Sequence, residues 1–181
     1  GKGLYGGRVV VMKGYNHNGV RIDGSVGKGL AYGAIAGLIV VQGNADSRAC
    51  VRLSGADVII GGEITEPLQD HLGLIGARAN VKGFLCEYMT AGRVLVLGDP
   101  GPWICAGMTG GVLYLRLNRA MGLDMDAIRA RIARGAATDE AHPVSLTPVA
   151  AEDGANLREL IHAYAGELAR NHQHSEADRI R

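Results

Sequence analysis

Short apolar runs recur along the first two thirds of the chain, each entered through a small residue. Gly7 leads into Arg8-Val9-Val10-Val11, Gly37 into Leu38-Ile39-Val40-Val41 and Ala56 into Asp57-Val58-Ile59-Ile60. Gly92 leads into Arg93-Val94-Leu95-Val96 and Gly111 into Val112-Leu113-Tyr114-Leu115. The lead positions are separated by 30, 19, 36 and 19 residues. Nineteen recurs and 36 is close to two repeats; the interval from 57 to 92 holds a further candidate coil around Gly76-Ala77-Arg78-Ala79-Asn80-Val81 and a polar loop at Glu63–His71. The first gap, which contains Val20-Arg21-Ile22, is the irregular one. Hairpins would show two-residue turns and tighter spacing. An α/β domain would need helices of about ten residues or more between the runs, and none is predicted before about residue 124. The pattern therefore predicts an all-β solenoid with coils of about 19 residues, their strands pairing in parallel.

The cysteines keep the same register. Cys50, Cys86 and Cys105 are 36 and 19 residues apart, which predicts one column of small, soft side chains filling an interior row. Metal or iron–sulfur sites ask for clustered spacings such as C-x-x-C, and none is present.

The periodicity changes after Leu117, dividing the chain into a repeat domain over 1–117 and a C-terminal helical cap over 118–181. Asp124 or Asp126 caps a short helix through Ala127–Ile132, with Gly135 as its stop signal. A strand is expected over Val144-Ser145-Leu146-Thr147, before Pro148. Asn156 then caps a helix whose Leu157, Leu160, Ile161, Tyr164 and Leu168 fall on one face, ready to pack on the end of the solenoid or on a partner.

Composition adds little beyond glycine. There are 28 glycines in 181 residues, while aromatic residues make up 4%, a balance that suits tight turns and close backbone approaches. A net charge of +1 gives no electrostatic case for nucleic acid or an anionic membrane, and no apolar run reaches a membrane-spanning length. Three cysteines do not make a disulfide framework, so a cytoplasmic location is expected.

Candidate chemistry is sparse. Gly1-Lys2-Gly3-Leu4-Tyr5-Gly6 spells G-x-G-x-x-G and Gly27-Lys28-Gly29 resembles part of a phosphate loop, but both lead into strands where a nucleotide fingerprint must open a helix. His172-Gln173-His174 offers two metal ligands only. An acid-lined groove would need carboxylates stacked one coil apart, yet Asp57 aligns with Arg93 and Val112.

Three blocks carry a family resemblance. Gly1-Lys2-Gly3-Leu4-Tyr5-Gly6-Gly7-Arg8-Val9-Val10-Val11, Cys86-Glu87-Tyr88-Met89-Thr90-Ala91-Gly92-Arg93-Val94-Leu95-Val96-Leu97-Gly98 and Ala106-Gly107-Met108-Thr109-Gly110-Gly111 resemble, in order, segments of the C-terminal GXGXG domain of the glutamate synthase large (alpha) subunit. The resemblance implies a right-handed, single-stranded parallel β-helix with C-terminal helices. Gly7, Gly37, Gly92, Gly107, Gly110 and Gly111, with Cys50, Cys86 and Cys105, are then its structural repeat positions. It implies no catalytic, cofactor or metal residue in this chain, which is expected not to be catalytic by itself. The role implied is that of a scaffold subunit in a hetero-oligomer, bracing a glutaminase-type amidotransferase and a synthase-like partner that carries FMN and an iron–sulfur cluster. Three alternatives remain at this stage: the β-helix subunit of a formylmethanofuran dehydrogenase or formyltransferase/hydrolase complex, an independent β-helix enzyme, and an independent homo-oligomeric structural protein.

Overall fold

The computed structural model describes residues 1–68, 79–135 and 144–181. Its strands are β1 (Tyr5–Val11), β2 (Gly14–Tyr15), β3 (Arg21–Ile22), β4 (Ala36–Val41), β5 (Ser54–Ile60), β6 (Ala91–Val96) and β7 (Val112–Leu115). Three helices follow: α1 (Met125–Gly135), α2 (Gly154–Arg170) and α3 (His174–Ile180). The five apolar runs form one sheet in the order β1-β4-β5-β6-β7, parallel throughout, with Arg8 opposite Leu38, Leu38 opposite Asp57, Asp57 opposite Arg93 and Arg93 opposite Val112.

The runs are continuously apolar because this sheet is covered on both faces. Ile39, Val41, Val58, Ile60, Val94 and Val96 point into the main core. Val40, Ile59, Leu95 and Tyr114 point the other way and meet Leu160, Tyr164, Ala165 and Leu168 of α2. Burying each large apolar side chain contributes about 1.5–3 kcal/mol, so α2 is an integral layer. The stripe predicted for this helix is correct, but it packs on the side of the sheet and not on an end.

The expected all-β, right-handed single-stranded β-helix is not what forms. Strands make a single five-stranded sheet plus the small antiparallel pair β2–β3, and about as many described residues lie in helices as in strands. The wall opposite the sheet is built of turns joined by isolated parallel bridges, Val26 to Ala45, Ala45 to Val81 and Leu85 to Ile104. The physical reason is backbone conformation. Arg48, Cys50 and Arg52 have φ of 64°, 60° and 53°, and Phe84, Cys86 and Tyr88 have 57°, 58° and 53°. Alternate residues in the left-handed region cannot continue a β ladder.

The two long spacings are insertions. β5 pairs directly with β6 and Ala45 bridges Val81, both 36 residues apart, so no extra coil intervenes and one layer is 17 residues longer than its neighbours. Ala79, Asn80 and Val81 belong to that long layer; Gly76–Arg78 of the expected extra coil, and residues 69–71 of the Glu63–His71 loop, lie outside the described residues. The 30-residue spacing contains the β2–β3 hairpin, a local element that the regular repeat did not predict.

The C-terminal third follows local signals with two exceptions. Asp124 caps α1, its Oδ1 accepting from the N–H groups of Asp126 at 3.0 Å and Ala127 at 2.9 Å. α2 starts at Gly154, with Asp153 before it; Asn156 is instead held by Arg93, whose Nη1 donates to Asn156 Oδ1 at 3.1 Å. The expected strand at Val144–Thr147 does not form, although Val144 and Leu146 pack on the main core. Gln42, buried on the first layers, exchanges two hydrogen bonds with Gln173, at 2.6 and 3.0 Å, and so ties the sheet to the turn before α3.

Candidate functional site

The repeat glycines, Gly7 excepted, occupy positions that a side chain cannot share. Gly37 and Gly92 both have φ of 101°. A Cβ at either would lie 2.6 Å from a carbonyl oxygen of the preceding strand's entry, Gly7 O and Ala56 O respectively. Gly7, Gly107 and Gly111 also have positive φ, and a Cβ on Gly110 would meet Thr90 O at 2.2 Å. These residues set how closely the layers approach.

Cys50, Cys86 and Cys105 are buried free thiols at equivalent turns of three layers, with φ of 60°, 58° and 61°. Their N–H groups donate to Leu30 O, Ala49 O and Leu85 O at 2.8, 3.0 and 2.8 Å, which holds the left-handed turns in place. Burial pushes the Cys86 thiol well up, reinforced by Cys50 and then Cys105 beside it, and burial pushes Cys105 up to about 12. Protonated thiols in an apolar row are poor nucleophiles and poor metal ligands. Among the described residues no three His, Cys, Asp or Glu side chains are grouped as metal ligands.

A second, polar ladder runs beside this column. Ser25, Asn44, Asn80 and Asp99 are separated by the same 19, 36 and 19 residues. Ser25 Oγ accepts from Asn44 N–H at 2.9 Å, Asn80 Nδ2 donates to Asn44 Oδ1 at 2.8 Å, and Asn80 Oδ1 accepts from Asp99 N–H at 2.6 Å. Asp99 accepts in turn from Gly101 N–H at 2.9 Å and from the guanidinium of Arg131 on α1. Arg131 and Asp99 are 0% and 1% exposed, so this is a fully buried ion pair locking α1 to the top layers. Sequence reasoning missed the ladder, although the shared spacing that revealed the cysteines was there to find it.

Among the described residues β7 is the last strand of the sheet. A cavity of about 730 Å³ lies against this end, lined by Met108, Leu113, Leu117, Ile132, Leu146 and Val149, with Asp153 on its rim. Tyr114 also lines it, and its buried hydroxyl has no hydrogen-bond partner among the described residues. Burial raises the Tyr114 hydroxyl, with Asp153 adding to the effect. The arrangement is a seat of mixed polarity beside the β7 edge, with Thr109, Ser145 and Thr147 among its lining residues.

The remaining motifs do not converge. Gly1–Gly6 runs into β1 and Gly27-Lys28-Gly29 opens a turn ahead of β4. His172 and His174 are exposed at the α2–α3 junction, His17 sits in the β2–β3 hairpin and His162 on the exposed side of α2; His71 and His142 lie outside the described residues. No helix among the described residues is long and apolar enough to cross a membrane.

A family model described as the GXGXG motif matches residues 75–174, more than half of the chain, and the chain belongs to that family. The chain is 37% identical over 116 residues to the glutamate synthase [NADPH] large chain of Bacillus subtilis (strain 168), a match covering 64% of this chain and 6% of that relative. It is 38% identical over 117 residues to the chloroplastic ferredoxin-dependent glutamate synthase 2 of Arabidopsis thaliana, again over 64% and 6%. With the NADH glutamate synthase of Schizosaccharomyces pombe the identity is 35% over 119 residues, covering 64% and 5%. The chain thus corresponds to a small fraction of the length of these relatives. No solved structure matches it.

Proposed function

We propose that this chain is a non-catalytic scaffold domain or subunit of a glutamate synthase-type oxidoreductase complex, positioning a glutaminase-type amidotransferase and an FMN and iron–sulfur synthase partner in the cytoplasm. The observation that carries the proposal is the homology to a short region of glutamate synthase large chains. The chain's own chemistry supports it. Its cysteines are buried free thiols, and burial holds Cys86 and Cys105 protonated, which does not suit a cluster, so the flavin and the iron–sulfur centre are assigned to the partners. Its layers are cross-tied by backbone and side-chain ladders, which suits a rigid spacer. Both outer strands, β1 and β7, have one edge without a strand neighbour among the described residues, and such edges invite cover by other elements.

The test is co-purification from the source cells with the tagged chain, followed by mass spectrometry. Stoichiometric recovery of an amidotransferase and a flavin-containing synthase chain is expected. Turnover of glutamine or 2-oxoglutarate by the isolated chain, or stoichiometric flavin bound to it, would contradict the proposal.

A further inference from the structure

The turn wall opposite the sheet segregates charge in a chain that is nearly neutral overall. Lys2, Lys28, Arg48, Arg52 and Lys82 are all exposed there. None of the five makes an ion pair among the described residues. Backbone hydrogen bonds bring three of them together, whereas Arg52 N–H donates to Glu87 O at 2.8 Å. Gly29 N–H donates to Ser47 O, setting Lys28 beside Arg48, and Arg48 N–H donates to Gly83 O, setting Arg48 beside Lys82. The Lys2 chain crosses Gly29, where an added Cβ would meet its Cε at 2.9 Å. The acids of this wall, Asp46 and Glu87, are half-buried, and Asp46 is engaged by Ser47 N–H at 2.6 Å.

Aromatic rings lie among these cations. The only phenylalanine and the only tryptophan of the chain, Phe84 and Trp103, stack with centroids 5.0 Å apart and planes 14° from parallel. The Arg48 guanidinium sits 5.8 Å from the Phe84 centroid. Tyr88 lies over Gly107, and Tyr88 and Trp103 are 57% and 41% exposed. Unpaired cations side by side repel, and half-exposed rings keep apolar area in water; an acidic surface with some apolar content relieves both.

We infer that this wall docks an acidic protein surface, with Trp103 and Tyr88 as anchors and the lysines and arginines facing carboxylates. The inference deepens the scaffold reading and rests on it, the partner being a chain of the synthase complex. Single-stranded nucleic acid fits less well, because base stacking needs free ring faces and Phe84 lies between Arg48 of the preceding layer and Trp103 of the next.

The experiment compares capture of the synthase-type and amidotransferase-type chains by the wild type, by Lys28→Glu with Lys82→Glu, and by Trp103→Ala. The two lysines have ordinary backbone φ, so charge reversal there leaves the turns unstrained, and circular dichroism checks the fold. Affinity for one partner is expected to fall at least about tenfold in each variant and to weaken in the wild type between about 0.05 and 0.5 M salt. If the wild type holds both partners and both variants hold them within about twofold, the inference fails while the scaffold reading stands. If the wild type holds neither partner, the scaffold reading fails and takes the inference with it. Tight binding of a fluorescent single-stranded 20-mer, lost on charge reversal, would overturn the inference in favour of nucleic acid.

Discussion

Arg93 on β6 grips Asp57 on β5 with two parallel hydrogen bonds, Nε to Oδ1 at 2.9 Å and Nη2 to Oδ2 at 2.7 Å. Its third nitrogen, Nη1, reaches α2, donating to Asn156 Oδ1 at 3.1 Å and to Glu159 Oε2 at 2.7 Å. One guanidinium therefore joins two layers of the sheet to the helix that covers it, and these bonds, that to Asp57 foremost, hold it more firmly protonated than usual. The planar fork of arginine makes such a three-way joint; the point charge of lysine does not.

Arg93→Ala is expected to lower stability by about 1–2 kcal/mol, since the pair is only partly buried but bidentate and networked. A double-mutant cycle with Asp57→Ala, read by urea unfolding, is expected to give a coupling of about 1 kcal/mol. A coupling near zero would reduce the joint to a surface decoration.

The buried pair should weigh more. Asp99→Ala leaves the Arg131 guanidinium buried without its carboxylate and Gly101 N–H without its acceptor, which is expected to cost about 3–5 kcal/mol. Asp99→Leu with Arg131→Met should be markedly milder, because no uncompensated charge remains. Thermal unfolding of the three proteins checks the order.

Gly92→Ala tests the close approach of the layers. The new methyl would lie 2.6 Å from Ala56 O at a φ of 101°, and the expected loss is about 2 kcal/mol or more. Gly3→Ala, where no atom lies within 4 Å, is expected to cost less.

The thiols set an alkaline limit. Cys105 is raised from 9.0 to about 12, so the folded state holds its proton where the unfolded chain has released it. The stabilisation is complete below about pH 9 and is lost as pH rises towards 12, at up to about 1.4 kcal/mol per pH unit from this group. Ellman's reagent at pH 8 is expected to find no rapidly reacting thiol in the native protein and three after denaturation.

The sheet was legible because each strand is led by a small residue and the central strands β4, β5 and β6 are buried on both faces, so Val9–Val11, Leu38–Val41 and Val94–Val96 stand out as unbroken runs. The turn wall was not. Arg48, Cys50, Arg52, Phe84, Cys86 and Tyr88 adopt a conformation that side-chain-bearing residues seldom choose, held by hydrogen bonds to other layers that no local signal announces. The all-β expectation came from the recurring apolar runs and the family resemblance, which carry no sign of these turns. Arg131 was likewise opaque: on α1 it reads as a surface cation, and its partner Asp99 lies 32 residues away. The spacing of 36 misled because an insertion and an additional repeat differ by only a few residues in length.

If this chain holds catalytic partners in place, their assembly depends on its presence. The amidotransferase-type and synthase-type chains would be mixed with and without the purified protein, with assembly followed by native mass spectrometry and glutamine-dependent glutamate formation measured on the same samples. A defined complex and coupled turnover are expected only when the chain is present. Equal assembly and equal turnover in its absence would contradict the scaffold reading.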